Sequence, residues 1–242
     1  MSITPLHASR GTAIHDHRGS VGHDRRGSVP HERHAGKAGD GASSIQAPPA
    51  SLLPVPERDM EAAERAAAAF LDALGVDRCA DGLEATPGRM ARAYAELLTP
   101  RPFEPTTFPN DEGYDELVLA RAIPIHSVCE HHLLPFMGVA HVGYLPGERI
   151  LGLSKLARVV EHFARRPQVQ ERLTKQIADW LTTHLEPAGV GVVIEAEHLC
   201  MTLRGVEAVG SSTITSTLLG TLRTDPRSRA EFFTLVGVDG RR

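Results

Sequence analysis

Gly189-Val190-Gly191-Val192-Val193-Ile194-Glu195-Ala196-Glu197-His198-Leu199-Cys200 is the run from which the fold class is read. Side chains alternate across a strand, so Val192, Ile194, Ala196, His198 and Cys200 share one face. That face is apolar until its end, where an imidazole and a thiol point inward. Inward polar groups need partners, and a strand that ends in two metal-ligating residues is the first hint of chemistry.

Working outward, the stretches 116–125 and 136–145 also read as strands, with Pro146-Gly147 as the turn after the second. A further strand is expected over 211–219. Helical spacing governs the rest. Met60, Ala63, Ala67, Phe70, Leu71 and Leu74 form one stripe, ended by Gly75. Thr86-Pro87 predicts a second helix, with Thr86 as N-cap and Met90, Tyr94, Leu97 and Leu98 buried. Ser154 is placed to cap a third, which carries Leu156, Val159, Val160 and Phe163. A fourth is expected from about Pro167, burying Val169, Leu173, Ile177, Trp180 and Leu181, and a short one over 227–236. Mixed helices and hairpin-linked strands predict an α+β domain with a mostly antiparallel sheet packed with helices.

Residues 1–56 differ in kind. They hold no Phe, Tyr or Trp, and a tandem octapeptide runs from His15 to Pro30. This composition buries too little apolar area to offset the entropy of ordering, so a disordered tail is expected ahead of a domain spanning 57–242. Its histidines could bind metal weakly; low-complexity drift is the plainer reading. Net charge is −4, which argues against a nucleic-acid surface. No apolar run approaches the ~20 residues that span a bilayer, and no signal peptide is evident, so a cytoplasmic protein without membrane attachment is expected. Three cysteines, Cys79, Cys129 and Cys200, are too few for a disulfide framework and fit metal binding or burial.

The densest chemistry lies in Cys129-Glu130-His131-His132. A Cys and a His three apart can close on one ion if the chain turns there. With Cys200, they give two thiols and four further candidates: Glu130, His131, His132 and His198. Three protein ligands leave a position open for water, the form of a catalytic zinc site, whereas four close it. Spacing does not choose among the four. The plainer reading is two buried cysteines beside surface histidines, but two such segments in one domain count against it.

Ser154-Lys155 and Arg158 make a basic helix start suited to phosphate. Taken alone they read equally as a cap and a solvated face, as do Arg89 and Arg204. Glu171 falls about 200° from Val169 on the helical wheel. By spacing it is a solvent-facing partner for Lys175.

Four stretches in order, CEHHLLPFMGVAHVGYLP, LGLSKLARVVEHFARRPQVQERLTKQIA, HLCMTLRGV and STITSTLLG, resemble GTP cyclohydrolase I. The likeness covers roughly 57–240. It implies a tunnelling fold in a ring-shaped homodecamer, with active sites between subunits. It implies zinc on Cys129, His132 and Cys200, leaving His131, His198 and Ser154 for catalysis. Arg89, Lys155, Arg158 and Arg204 match positions that hold the triphosphate or assist at the ribose, and Gln170 and Glu171 match those that read guanine. The implied reaction is hydrolysis of GTP to 7,8-dihydroneopterin triphosphate and formate, the entry to tetrahydrofolate and pterin synthesis. Gly88 departs from the family, standing where a basic residue is common beside Arg89.

Overall fold

A computed structural model describes residues 57–237; the octapeptide repeat and the tail expected over 1–56 lie outside them. The described residues begin with two helices that pack on each other, α1 (Met60–Ala73) and α2 (Thr86–Leu97). Asp59 caps α1 by accepting from Ala62 N at 2.8 Å. Helix α2 starts without the expected cap: Thr86 is already its first residue, Ala85 is the N-cap, and Pro87 supplies the preset φ of a first turn. Its buried residues are Pro87, Gly88 and Ala91, while Met90, Tyr94, Leu97 and Leu98 are only half-buried.

Next come β1 (Thr107–Pro109), β2 (Val118–Cys129), β3 (Pro135–Leu145) and β4 (Arg149–Leu151). Helix α3 (Leu153–Ala164), β5 (Pro167–Gln168) and α4 (Gln170–Leu185) follow, then β6 (Gly189–His198), α5 (Leu199–Thr202), β7 (Thr213–Gly220), α6 (Thr221–Thr224) and α7 (Pro226–Val236). The main sheet has the order β5-β2-β3-β6-β7, and β1 pairs with β4 in a small separate ladder. The expectation of a mostly antiparallel sheet is corrected to a mixed one. β5 runs parallel to β2, because α3 returns the chain along the sheet before β5 begins, and the other three pairings are antiparallel.

Alternation predicts the core. Val192, Ile194 and Ala196 of β6 lie with Ala140 and Val142 of β3 against Leu156, Val159, Val160 and Phe163 of α3. Leu173, Ile177, Trp180 and Leu181 of α4 complete that layer. Each such side chain contributes roughly 1.5–3 kcal/mol on burial. Across the sheet a smaller cluster joins Val193, Leu218, Leu222, Phe232 and Val236. There Gly191 lets α7 approach: a Cβ would meet the Phe232 ring at 2.7 Å. Among the described residues no helix is long and apolar enough to cross a membrane.

Three boundaries move, each with consequences for function. β6 stops at His198, and Cys200 belongs to the single turn of α5 rather than to the strand. Helix α3 is capped by Gly152, so Ser154 sits exposed inside the first turn with no capping bond. Helix α4 begins at Gln170 rather than near Pro167, which sets its phase so that Gln170 is buried and Glu171 exposed.

Candidate metal centre and active site

The hairpin turn between β2 and β3 builds the first half of the centre. Cys129 N donates to Leu134 O at 2.9 Å and Leu133 N to Cys129 O at 2.8 Å. Leu133 takes a left-handed φ of 53°, uncommon for a residue with a side chain, and Tyr94 Oη donates to its carbonyl at 3.2 Å. Glu130 N donates to Gln168 O at 3.0 Å, and the Glu130 carboxylate is paired with Arg172 of α4. That ion pair holds the Glu130 carboxyl below the usual range. The turn brings both histidines to the Cys129 sulfur, with Nδ1 of His131 at 3.9 Å and Nδ1 of His132 at 3.8 Å.

The second half comes from the end of β6. His198 lies opposite Phe136 in the β3–β6 register and stacks on its ring, centroids 4.5 Å apart and planes 8° from parallel. The turn of α5 then swings Cys200 towards Cys129. Ligand atoms of Cys129, His132 and Cys200 all lie within 4.8 Å of one another. Of the four candidates that spacing left open, His132 joins the two sulfurs, and Glu130 is tied to Arg172.

Electrostatics supports a cation here. Burial pushes the Cys200 thiol above its ordinary pKa, and the neighbouring Cys129 sulfur adds to the rise. A bound metal ion would offset the rise at Cys200, since metal ions deprotonate coordinating thiols outright. Two sulfurs and an imidazole suit a borderline-soft divalent ion. Burial also lowers the pKa of His198, with the charge of Glu171 acting in the opposite sense. Glu171 therefore stands near the imidazole, and Arg204, whose charge favours the Cys200 thiolate, stands near the sulfur.

The remaining candidates divide. Lys175 pairs with Asp179 at 2.6 Å instead of with Glu171, so the solvated-pair reading of Glu171 fails. Gln170 does not present its side chain outward; its amide is 1% exposed and hydrogen-bonded on every side. Arg89 donates to Gly82 O at 3.1 Å and is otherwise exposed. Gly88 is buried where α1 meets α2, and a Cβ there would press on the Glu64 carboxylate at 3.0 Å, so a larger residue would need Glu64 to move.

Ser154, Lys155 and Arg158 gather at the start of α3, held by the β1–β4 ladder through Gly152 N to Thr106 O at 3.1 Å. This is the opposite end of the sheet from the metal group. β3 begins at the metal end with Pro135 and finishes at Leu145, and α3 then runs back, so that Pro167 just beyond it pairs with Val128. The 12 residues of α3 set roughly 18 Å between its two ends, at 1.5 Å per residue. Phe136, Arg172 and Tyr94 were not foreseen as parts of the site. Their roles depend on strand register and helix contacts, which periodicity does not carry.

The sequence model of the GTP cyclohydrolase I family matches residues 63–237. Curated relatives named GTP cyclohydrolase 1 include that of Mycobacterium tuberculosis, 54% identical over 183 residues, covering 74% of this chain and 91% of the relative. That of Aquifex aeolicus is 51% identical over 178 residues, covering 74% and 97%. A solved archaeosine synthase QueF-Like protein in the apo form is 18% identical with a TM-score of 0.35, covering 43% of this chain and 93% of that one, a likeness too slight to carry an argument. Family match, identity and near-complete coverage of the relatives agree: this chain belongs to the GTP cyclohydrolase I family.

Proposed function

We propose that the chain hydrolyses GTP to 7,8-dihydroneopterin triphosphate and formate, using one zinc ion held by Cys129, His132 and Cys200. The observation that carries this reading is the convergence of those three side chains within 4.8 Å, beside an imidazole, His198, that is not part of the group. Three ligands leave a coordination position for water. A bound zinc ion supplies Lewis acidity that makes water nucleophilic near neutral pH.

The chain's own residues do the rest. His198, rigid on Phe136, moves protons at the C8 and ring-nitrogen side of guanine as the imidazole ring opens in two hydrolyses and C8 leaves as formate. His131, exposed on the turn, and Ser154 serve the later ribose opening, rearrangement and closure onto the freed amine. Glu171 accepts from guanine N–H groups, a pattern adenine lacks. With the Gln170 side chain turned inward, the contribution of Gln170 to guanine is its backbone N–H in the uncapped first turn of α4. Lys155, Arg158, Arg89 and Arg204 hold the triphosphate and ribose.

A ring-shaped homo-oligomer, a decamer by resemblance, fits this reading. The anion-binding start of α3 lies at the far end of its own sheet from the metal group. A second copy that sets its α3 beside the first copy's zinc brings the two halves together. The free thiols of Cys79, Cys129 and Cys200 suit work in a reducing cytoplasm, where the product feeds tetrahydrofolate and pterin synthesis.

The test is to incubate purified protein with GTP and follow formate and the fluorescent oxidised pterin, with and without a zinc chelator. Both products, abolished by chelation, are expected. Bound zinc with neither product would overturn the reading in favour of a structural metal site.

A further inference from the structure

Gln170 carries a feature that its place next to Glu171 does not account for. Its side chain is buried between α4, β6 and β7. The Nε2 group donates to Ile194 O at 3.0 Å and Thr213 O at 2.9 Å, and lies 3.2 Å from Thr215 Oγ1. The first two are carbonyl oxygens, which only accept. The amide cannot be turned round, because its oxygen would then face both carbonyls. Thr215 is itself held by Thr174 at 2.6 Å, whose hydroxyl donates to the main-chain carbonyl of Gln170 at 2.8 Å.

With its amide so anchored, Gln170 aims Oε1 at His198 Nε2, 2.7 Å away. An amide oxygen accepts and cannot donate, so the imidazole nitrogen facing it is an N–H. We infer that Gln170 is a positioning residue for His198. It fixes the ring in the Nε2–H form, with the Phe136 stack setting its plane, and so makes Nδ1 the nitrogen that exchanges protons with the substrate. This rests on the proposed GTP hydrolysis and gives it a direction. With Nε2 engaged by Gln170, Nδ1 is the nitrogen that takes a proton from the attacking water as its oxygen bonds to C8. The C8–N7 π pair moves onto N7, which takes that proton back from Nδ1. The proton of the new C8 hydroxyl then passes through the same Nδ1 to N9 as the C8–N9 bond breaks and the hydroxyl becomes the formyl carbonyl. No proton is gained or lost overall, and Nε2 stays bonded to Gln170 throughout.

The competing account is that Gln170 merely ties α4 to β6 and β7. Two substitutions separate the accounts. Gln170→Met keeps length and volume but removes both the acceptor and the donors. Gln170→Glu keeps an acceptor for His198 and loses the donors to Ile194 and Thr213, so it is no better as a tie and sets a carboxylate against two carbonyls. Positioning predicts that Gln170→Met lowers kcat for formate release roughly 10–100-fold, with a much smaller change in the KM for GTP and unchanged zinc content. It predicts that Gln170→Glu recovers most of that kcat despite a lower melting temperature. It also predicts that Gln170→Met adds little to His198→Ala in the double variant, because the two act as one unit. Equal loss in the Met and Glu variants, or additive losses in the double variant, overturns the inference. Should Gln170→Met fail to fold, Gln170→Glu decides alone: a mere tie predicts that turnover falls roughly 10-fold or more with the lost donors, and positioning predicts that most of the wild-type kcat is kept. Wild-type protein that releases no formate from GTP would instead overturn the parent reading; active wild type with inactive His198→Ala and normal Gln170→Met would sink this inference only.

Discussion

The two ends of the main sheet are built in different ways. At the metal end, the β2–β3 turn, the last residue of β6 and the turn of α5 converge, and the key side chains are buried or held: Cys129 by the turn, His198 by Phe136 and Gln170, Glu130 by Arg172. At the opposite end, Ser154 and Arg158 are exposed on a helix start without a side-chain cap, and among the described residues Arg158 pairs with Glu161 at 3.2 Å. One end is preorganised within a single chain. The other presents exposed polar and basic side chains at a helix start, with Arg158 tied only to its own helix through Glu161. The difference supports the proposal that a single chain supplies the whole metal-ligand group, while the proposed GTP site draws its anion-holding end from another copy.

The comparison breaks first at the metal end. Cys129→Ser and Cys200→Ser are expected to lose bound zinc and all formate release, a loss well beyond the roughly 10–100-fold typical of an outer-shell partner. Metal analysis alongside the GTP assay checks this, and full turnover in either variant would remove that residue from the ligand set. His198→Ala is next: zinc retained, and formate release down by about 10²–10⁴-fold, the range for loss of a general acid–base group.

The other end gives smaller effects and a sharper test. Lys155→Ala should raise the KM for GTP roughly 10-fold, the scale of one charge-assisted hydrogen bond, while zinc content stays at the wild-type value. Mixing and reassembling Lys155→Ala protomers with Cys200→Ser protomers should restore some sites that have both a sound metal end and a sound anion end. Recovery of low-KM activity in the mixture supports shared sites; a mixture no better than its components would mean that each chain completes its own.

The smallest expected effect is on stability and lies in the core between the two ends. His162 is buried beside Phe103, Phe163 and Arg166, and burial lowers its pKa from 6.5 to about 4, with the Arg166 charge contributing. Its Nε2 has no protein hydrogen-bond partner. The unfolded chain therefore takes up this proton at a higher pH than the folded one. Stability is full above about pH 6.5 and falls as the pH drops towards 4, by about 3 kcal/mol at most. Urea midpoints across that window should fall less steeply for His162→Phe than for wild type; parallel curves would show that another group sets the acid limb.

Much of this was legible in the sequence. Alternation in β6 and helical stripes in α3 and α4 identified most of the buried residues, because side-chain direction follows from local backbone geometry; Val169 is the exception, half-buried as the N-cap of α4 rather than within it. Donor chemistry was legible too, since two thiols and clustered histidines suit few purposes. Caps were less so: Thr86 and Ser154 have the right side chains for N-caps, but α2 starts at Thr86 itself and α3 one residue before Ser154, so the cap positions fall to Ala85 and Gly152. Gln170 and Glu171 were read as a pair. Helical spacing already faced Glu171 outward, as found; the burial of Gln170 comes from β6 and β7 packing on the first turn of α4, which spacing does not carry.

The sequence by itself determined the α+β composition, the core faces, the four family stretches and the set of possible metal ligands, all of which depend on residue type and short-range spacing. Only the tertiary structure decided that β5 joins the sheet in parallel, that Cys200 arrives by a helical turn, and that His132 joins the two sulfurs while Glu130 pairs with Arg172. It alone tied Gln170 to His198. Those outcomes depend on which segments distant in the chain meet and in what register, and that is set by packing across the whole domain rather than by any one stretch.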